Sequence, residues 1–331
     1  QTTKIGTYWV EAVYEGDDNY NGATSDAEKF TISPAALNVT ATGYTDTYNG
    51  GEHDPVASIQ VTGVDGTSFT EGDYTVSYAK KTDGQTDAPA ADSGAWKTDT
   101  QVKDVAHSGD YWIKVVIKND DSYAPYVGKE PITVTISPKQ LTVTKTVKPT
   151  KEYDGTTKAT VDFDTITTGI TGELVTADLV SAVYNSPNVE QADTITITYK
   201  LTAEPGTDLA NYSLDGEAVT GAEMGETVTE GVGITPAYIT VAINDQTSVY
   251  DGEEPDVAQG QGTSDGDTKN WYVSEGTIYN SDNLGIALSI APGSKDAGTY
   301  AIIGEADNDN YKVTFTGNWQ GEEGDPDNDH A

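Results

Sequence analysis

Hydrophobic and polar residues alternate along most of this chain. Leu37–Tyr44 (LNVTATGY), Tyr111–Lys118 (YWIKVVIK), Pro131–Pro138 (PITVTISP), Gln140–Val147 (QLTVTKTV), Thr194–Leu201 (TITITYKL) and Tyr238–Asn244 (YITVAIN) are rich in β-branched and aromatic residues. A period of two sends successive side chains to opposite faces, so each segment predicts a strand with one face in a core. Gly, Asn, Asp and Pro separate the segments, and none sustains a helical period. Thr82–Ala95 (TDGQTDAPAADSGA) is too rich in breakers to be a helix. The pattern predicts an all-β protein.

Three landmarks recur in the same order. The first is a closing strand ending in proline: FTISPA at Phe30–Ala35, VTISPK at Val134–Lys139 and GVGITPA at Gly231–Ala237. An opening strand follows each, starting at Leu37, Leu141 and Ile239. The second is Tyr-Asn/Asp-Gly at Tyr48-Asn49-Gly50, Tyr153-Asp154-Gly155 and Tyr250-Asp251-Gly252. Asn-Gly and Asp-Gly favour turns that need positive φ, so a bend follows each tyrosine. The third is Gly-x-Tyr at the head of a long strand, in IGTYWV from Ile5, SGDYWI from Ser108 and DAGTYAI from Asp296. The Asp296-x-Gly298-x-Tyr300 spacing fits a tyrosine corner, in which the hydroxyl bonds to upstream backbone.

The closing prolines Pro34, Pro138 and Pro236 stand 104 and then 98 residues apart, the size of an immunoglobulin-like sandwich of about 100 residues. The expected modules are 36–138, 139–236 and 237–331, preceded by the closing strands of another module at 1–35. The last lacks a closing strand and ends in an acidic tail, 320–331. Single Ser-Pro or Thr-Pro junctions restrict hinge freedom, which predicts tandem immunoglobulin-like β-sandwich modules in an elongated rod.

At these landmarks the sequence resembles repeat modules of large bacterial surface proteins. Residues 139–236, with KEYDGTTKATVDF at Lys151, VYNSPNVEQADTITITYKL at Val183 and LANYSLDGEAV at Leu209, resemble the YDG-type repeat of filamentous-haemagglutinin-like adhesins. Residues 36–138 and 237–331, with TYNGGEHDP at Thr47 and VYDGEEPD at Val249, resemble MBG-type repeats of bacterial surface proteins. The resemblance implies an extracellular protein at the bacterial cell surface or wall, in which the modules act as spacers or bind mucin-like glycans. It brings no catalytic residues with it. An open last module and a leading FTISP strand also suggest an alternative: Lys29–Pro34 of one chain completes the last module of the next, giving a strand-exchange filament.

Charge narrows the partners. The 331 residues carry a formal net charge of −36, with 54 acids, 18 lysines, no arginine and no cysteine. Such an excess repels phosphate backbones and anionic lipid, so neither nucleic acid nor direct membrane insertion is expected. Neighbouring modules, copies of the same protein, and host or environmental glycans fit better. Absence of cysteine removes disulfides and thiolate chemistry, and suits an exported bacterial protein. No run of about 20 apolar residues is present, and the first residues, QTTKIGTYWV, lack a cleavable leader, so any signal or anchor is expected outside this stretch.

Catalysis is not expected. Gly262-Thr263-Ser264-Asp265-Gly266 fits G-x-S-x-G, but no helix-forming segment follows and no histidine occurs between His107 and His330. Carboxylate pairs for glycoside hydrolysis are inevitable among so many acids, yet small sandwiches offer little aromatic cleft. A Lys–Asn crosslink would need a lysine on the opening strand; Lys145 is there, and the other copies have no equivalent. Aromatics are the more plausible binding signal. If Tyr8 and Tyr111 face the core, alternation turns Trp9 and Trp112 outward, either to stack on a sugar or to pack beneath a neighbouring loop or module. Trp271, Tyr272 and Trp319 are further candidates.

Calcium is the one candidate cofactor. The tail GDPDNDH spaces Asp325, Asp327 and Asp329 as in a calcium loop, without the following Gly or distal Glu, and Gly304–Val313 (GEADNDNYKV) crowds Glu305, Asp307 and Asp309 together. Counterparts of the second stretch follow each Gly-x-Tyr strand: EGDDNYNG at Glu15, KNDDSYAP at Lys118 and, in the divergent copy, TDLANYSL at Thr207. Their acids drift, while Asn or Ser before Tyr20, Tyr123, Tyr212 and Tyr311 persists. That favours a turn returning a tyrosine to the core, with calcium at Asp307 and Asp309 peculiar to the last copy.

Overall fold

The computed structural model describes residues 4–262 and 270–317. The fold is all-β. Among the described residues, helical structure is confined to the single 3-10 turns Val64–Gly66, Glu71–Asp73, Val105–His107, Val189–Gln191 and Leu209–Asn211. Alternation reads directly into burial. Ile132, Val134 and Ile136 are buried along Ile132–Ser137 while Thr133, Thr135 and Ser137 face solvent, and Ile195, Ile197, Tyr199 and Leu201 are buried along Ile195–Ala203. Each such aliphatic side chain stabilises the fold by about 1.5–3 kcal/mol.

The chain forms two compact units. One comprises Gln1–Thr142, Ile166–Val175 and Ala203–Thr220; the other comprises Val143–Thr165, Thr176–Thr202 and Gly221–Ala331. Residues 139–236 therefore contribute segments to both.

In the first unit, two hairpins pair Gly6–Val10 with Glu28–Ile32 and Val13–Gly16 with Asn21–Thr24. A three-stranded sheet follows, of Asn38–Gly43, Val56–Thr62 and Ser68–Phe69. A five-stranded sheet holds Thr45–Thr47, Tyr74–Lys80, Gly109–Ile117, Tyr126–Val127 and Ile132–Ser137. The chain leaves the first sheet for the second at Gly43, where the register shifts. A Cβ there would lie 1.9 Å from the Thr133 carbonyl oxygen, so only glycine allows so close an approach.

In the second unit, Lys145–Lys148 pairs with Thr160–Phe163, and Thr150–Glu152 runs parallel to Gly233–Thr235. Ile195–Ala203 pairs with Glu223–Val228. Ala237–Ile243 lies between Trp271–Glu275 and Tyr311–Thr316, and Ala287–Ile290 pairs with Ile302–Glu305.

The sequence landmarks recur as one topology. The opening segment pairs in parallel with the tyrosine of the Asn/Ser-Tyr landmark in all three copies: Ala35 with Tyr123, Lys139 with Tyr212 and Ala237 with Tyr311. The residue before Tyr-Asn/Asp-Gly then pairs with the residue before the closing proline, Thr47 with Ser137 and Glu152 with Thr235. Each tyrosine amide completes the ladder, Tyr48 N to Ser137 O and Tyr153 N to Thr235 O, both at 2.8 Å. The corner bond expected at Tyr300 is present, and the other two copies of the Gly-x-Tyr landmark make the same bond. Tyr8, Tyr111 and Tyr300 donate their hydroxyls to the backbone oxygens of Lys4, His107 and Asp296, at 2.9, 2.8 and 2.7 Å.

Candidate functional site at the repeat junctions

The residues singled out from sequence do not converge. Trp9 does point outward, at 67 % exposure, but Trp112 is 1 % exposed and offers no sugar platform. Alternation would have turned it to solvent, since Tyr111 is buried on the other face. Residues 82–97 fold back over that outer face instead, and Trp96 and Ala88 pack on Trp112 together with Val127. Trp96 Nε1 donates to Ala90 O at 2.8 Å, and Lys97 pairs with Tyr78, which pins the cover in place.

Trp271 is also buried, its indole N–H donating to Gln259 O at 3.1 Å, and Tyr272 is half-buried beside it on the same strand. Neither forms an open stacking face. Asp307 and Asp309 are exposed, and among the described residues no three His, Asp or Glu side chains group into a metal-holding set. Their stretch is a turn: Tyr311 N donates to Asn308 O at 2.9 Å, and Asn310 N to Asn308 Oδ1 at 3.1 Å. Trp319, Asp325, Asp327, Asp329 and the residues of the G-x-S-x-G match from Thr263 to Gly266 lie outside the described residues. Lys145 forms an ion pair with Glu226 at 2.7 Å rather than meeting an asparagine.

What does converge is a set of landmark residues where one repeat meets the next. Tyr48 precedes a turn whose Gly50 has φ +75°, and its amide is fixed on the closing strand, so its phenol projects beyond its own sheet. The phenol donates to Glu173 Oε1, and Tyr212 donates to Glu173 Oε2 at 2.5 Å. The two rings meet edge to face, with centroids 5.7 Å apart at 78°. Beside them Asn211, fully buried, accepts from Val105 N and donates to Asp104 Oδ1, both at 2.9 Å. That satisfies an otherwise orphan amide at the start of the 3-10 turn Val105–His107.

The second junction repeats this arrangement. Tyr153 and Tyr311 both donate to Asp282 Oδ2, at 2.7 and 2.9 Å, with ring centroids 5.3 Å apart at 77°. Asn310 accepts from Val189 N at 2.9 Å and donates to Asn188 Oδ1 at 3.2 Å, at the start of Val189–Gln191. Each junction lies wholly inside one compact unit. Both are clasps of two tyrosines on one carboxylate, flanked by an asparagine on a turn.

Electrostatics hold the phenols in their protonated, donating form. Burial first, and then the shared carboxylate, push Tyr48, Tyr153 and Tyr212 well above the ordinary tyrosine range. Burial raises Tyr311 to about 12. A carboxylate that accepts from two buried phenols gives both hydroxyls a charge-assisted partner, so the arrangement is suited to holding the rings in place. Sequence reading found the tyrosines but missed Glu173, Asp282 and the grip of Asn211 and Asn310. The Asn-Tyr dipeptide shared by the second and third copies was the available signal.

One of these clasped repeats can be placed by family. Residues 137–221 match the YDG domain. Tyr153-Asp154-Gly155 lies within it, as do Glu173, Asn211 and Tyr212, so the YDG domain contributes to both clasps. The match stops short of the 236 read from the closing proline. Comparison with curated proteins gave no match. Among solved structures, the chain is similar to the three N-terminal domains of the highly immunogenic outer capsid protein (Hoc) of bacteriophage RB49. The identity is 13 % over 66 % of this chain and 75 % of that one, with a TM-score of 0.20.

Proposed function

We propose that this chain is a non-catalytic spacer segment, the stalk, of an extracellular bacterial surface adhesin, in which MBG-type modules flank the YDG domain. The observation that supports it most is the clasp, built twice from the same landmarks, which ties each repeat to the next through buried side chains. A spacer has to hold adjoining repeats together, and a carboxylate shared by two buried tyrosines does so without a ligand. High negative charge keeps neighbouring copies apart and soluble. The partners on this reading are adjacent modules and copies of the same protein, and no metal is required.

Antibody against the chain should label intact cells of the source bacterium, and labelling that needs lysis would overturn the extracellular assignment. Pulled singly, the chain should resist in discrete steps, each releasing on the order of 350 Å for about 100 residues. Extension without force peaks would remove the mechanical role. Glycan binding is a second reading, favoured by the exposure of Trp9 and of Tyr14, Tyr20 and Phe30 in the same hairpins. Loss of mucin-glycan binding in Trp9→Ala is the outcome it requires.

A further inference from the structure

Asn49-Gly50 stands where the second and third copies of the landmark carry Asp154-Gly155 and Asp251-Gly252. Its neighbours differ to match. Two residues before the tyrosine, the second copy has Lys151, whose ammonium meets Asp154 Oδ1 at 2.6 Å, while the first copy has Asp46. A carboxylate there tolerates an amide at position 49 and would repel an acid. Four groups surround the Asn49 amide. Gly51 N donates to Oδ1 at 2.8 Å, which fixes that atom as the oxygen, and His53 Nε2 lies 3.1 Å from it and so carries a hydrogen. Nδ2 donates to Asp46 Oδ2 at 3.3 Å and to the Tyr44 hydroxyl at 3.4 Å. The imidazole is held by stacking on Tyr44, with centroids 4.4 Å apart, and by the pairing of His53 with Val102. Because the ring closed by the Gly51 bond contains Gly50 N, the side chain is folded back along the next peptide unit.

We propose that Asn49 is a self-modification site: in the folded chain Gly50 N attacks Asn49 Cγ, and the aspartyl product sets a second carboxylate beside Asp46, straining the turn that carries Tyr48. The Gly50 N–Cγ bond forms and the Cγ–Nδ2 bond breaks. The Gly50 amide proton passes to the departing nitrogen, which leaves as ammonia, and a five-membered succinimide remains. Water then opens the ring at one of its two carbonyl–nitrogen bonds. One cleavage gives an aspartate, and the other gives an isoaspartate whose backbone is longer by one methylene. Gly51 N–H and His53 Nε2–H both meet Oδ1, where negative charge grows as the nitrogen adds, and so form an oxyanion hole. Asp46 Oδ2 and the Tyr44 hydroxyl stand at the nitrogen that leaves, placed to pass the proton to it. Glycine at position 50 leaves the nucleophile without a side chain beside it. Asn49 and Asp46 are exposed, so water reaches the ring and ammonia escapes. The product bears on the first clasp because Gly50 packs closely on the facing repeat. A Cβ there would lie 2.6 Å from Ile170 Cγ2, so a lengthened backbone has no room on that side.

The test is peptide mapping by mass spectrometry of the full chain aged at neutral pH, with isoaspartyl methyltransferase labelling to mark the isoaspartate. Asn21-Gly22, the other Asn-Gly of the chain, lies in the strand Asn21–Thr24 and serves as an internal control. Asn49 should convert roughly tenfold faster than Asn21 in the folded chain, and faster folded than in urea. His53→Ala should slow Asn49 by roughly tenfold and leave Asn21 unchanged, while His53→Gln, which keeps a donor, should recover much of the rate. Asn49→Asp should lower the melting temperature, and Asp46→Lys in the same chain, copying the Lys151–Asp154 pair, should restore it. Asn49 that stays intact while Asn21 converts, or that converts no faster folded than unfolded, would overturn the proposal. So would a parent-like rate in a His53→Ala chain whose melting temperature is unchanged, or an Asn49→Asp chain as stable as the parent.

Discussion

Replacing Glu173 by alanine removes the acceptor of two buried phenols at once. Tyr48 and Tyr212 are almost wholly inaccessible, so neither hydroxyl reaches bulk water without rearrangement. A buried donor left unpaired costs about 1–3 kcal/mol, and two give about 2–6 kcal/mol. Glu173 itself is only half-buried, so water entering the vacated space offsets part of this, and about 2–4 kcal/mol is expected. Glu173→Gln keeps one carbonyl acceptor and turns the other site into a donor, at about 1–2 kcal/mol. Urea unfolding followed by near-ultraviolet circular dichroism gives these values. A double-mutant cycle with Tyr48→Phe and Tyr212→Phe then isolates the shared term, with coupling of about 1 kcal/mol or more for each pair. The clasp is refuted as a stabilising device if Glu173→Ala stays within about 0.5 kcal/mol of the parent, the range of ordinary surface substitutions. Additive effects of Glu173→Ala and Tyr48→Phe would refute it equally.

The clasp phenols also fix a pH dependence. Their folded pKa values lie above the unfolded value, so the folded chain holds more protons. The stabilisation they contribute is complete below about pH 10 and is lost as pH rises through about 12 for Tyr311, which alkaline titration of phenolate absorbance should record as ionisation coupled to unfolding. Asn211→Asp sets a carboxylate against Asp104 Oδ1, whereas Asn310→Asp faces an amide at Asn188 that can turn its donor inward. Thermal melts should therefore show a clearly larger loss for the first, and equal losses would count against the assigned contacts. Trp112→Ala empties the pocket beneath residues 82–97 and should cost about 3–5 kcal/mol, while Trp9→Ala at the equivalent position should cost under about 0.5 kcal/mol. Comparable losses at both sites would contradict the covering role of that segment.

Local patterns in the sequence determined the strands, the turns and the repeat. A period of two dictates which face of Ile132–Ser137 is apolar whatever lies against it, and Asp-Gly after Tyr153 bends the chain because glycine alone accepts φ +72° without strain. The corner bond of Tyr300 spans only four residues, so its spacing was visible in the letters. Tertiary structure decided whatever depends on a second segment. Alternation turns Trp112 away from the face that buries Tyr111, yet it is buried, because residues 82–97 fold over it. Glu173 reaches Tyr48 across 125 positions of sequence and Asp282 reaches Tyr153 across 129. Neither acid stands in a pattern that sets it apart among 54, since its role comes from the docking of two repeats rather than from its neighbours in the chain.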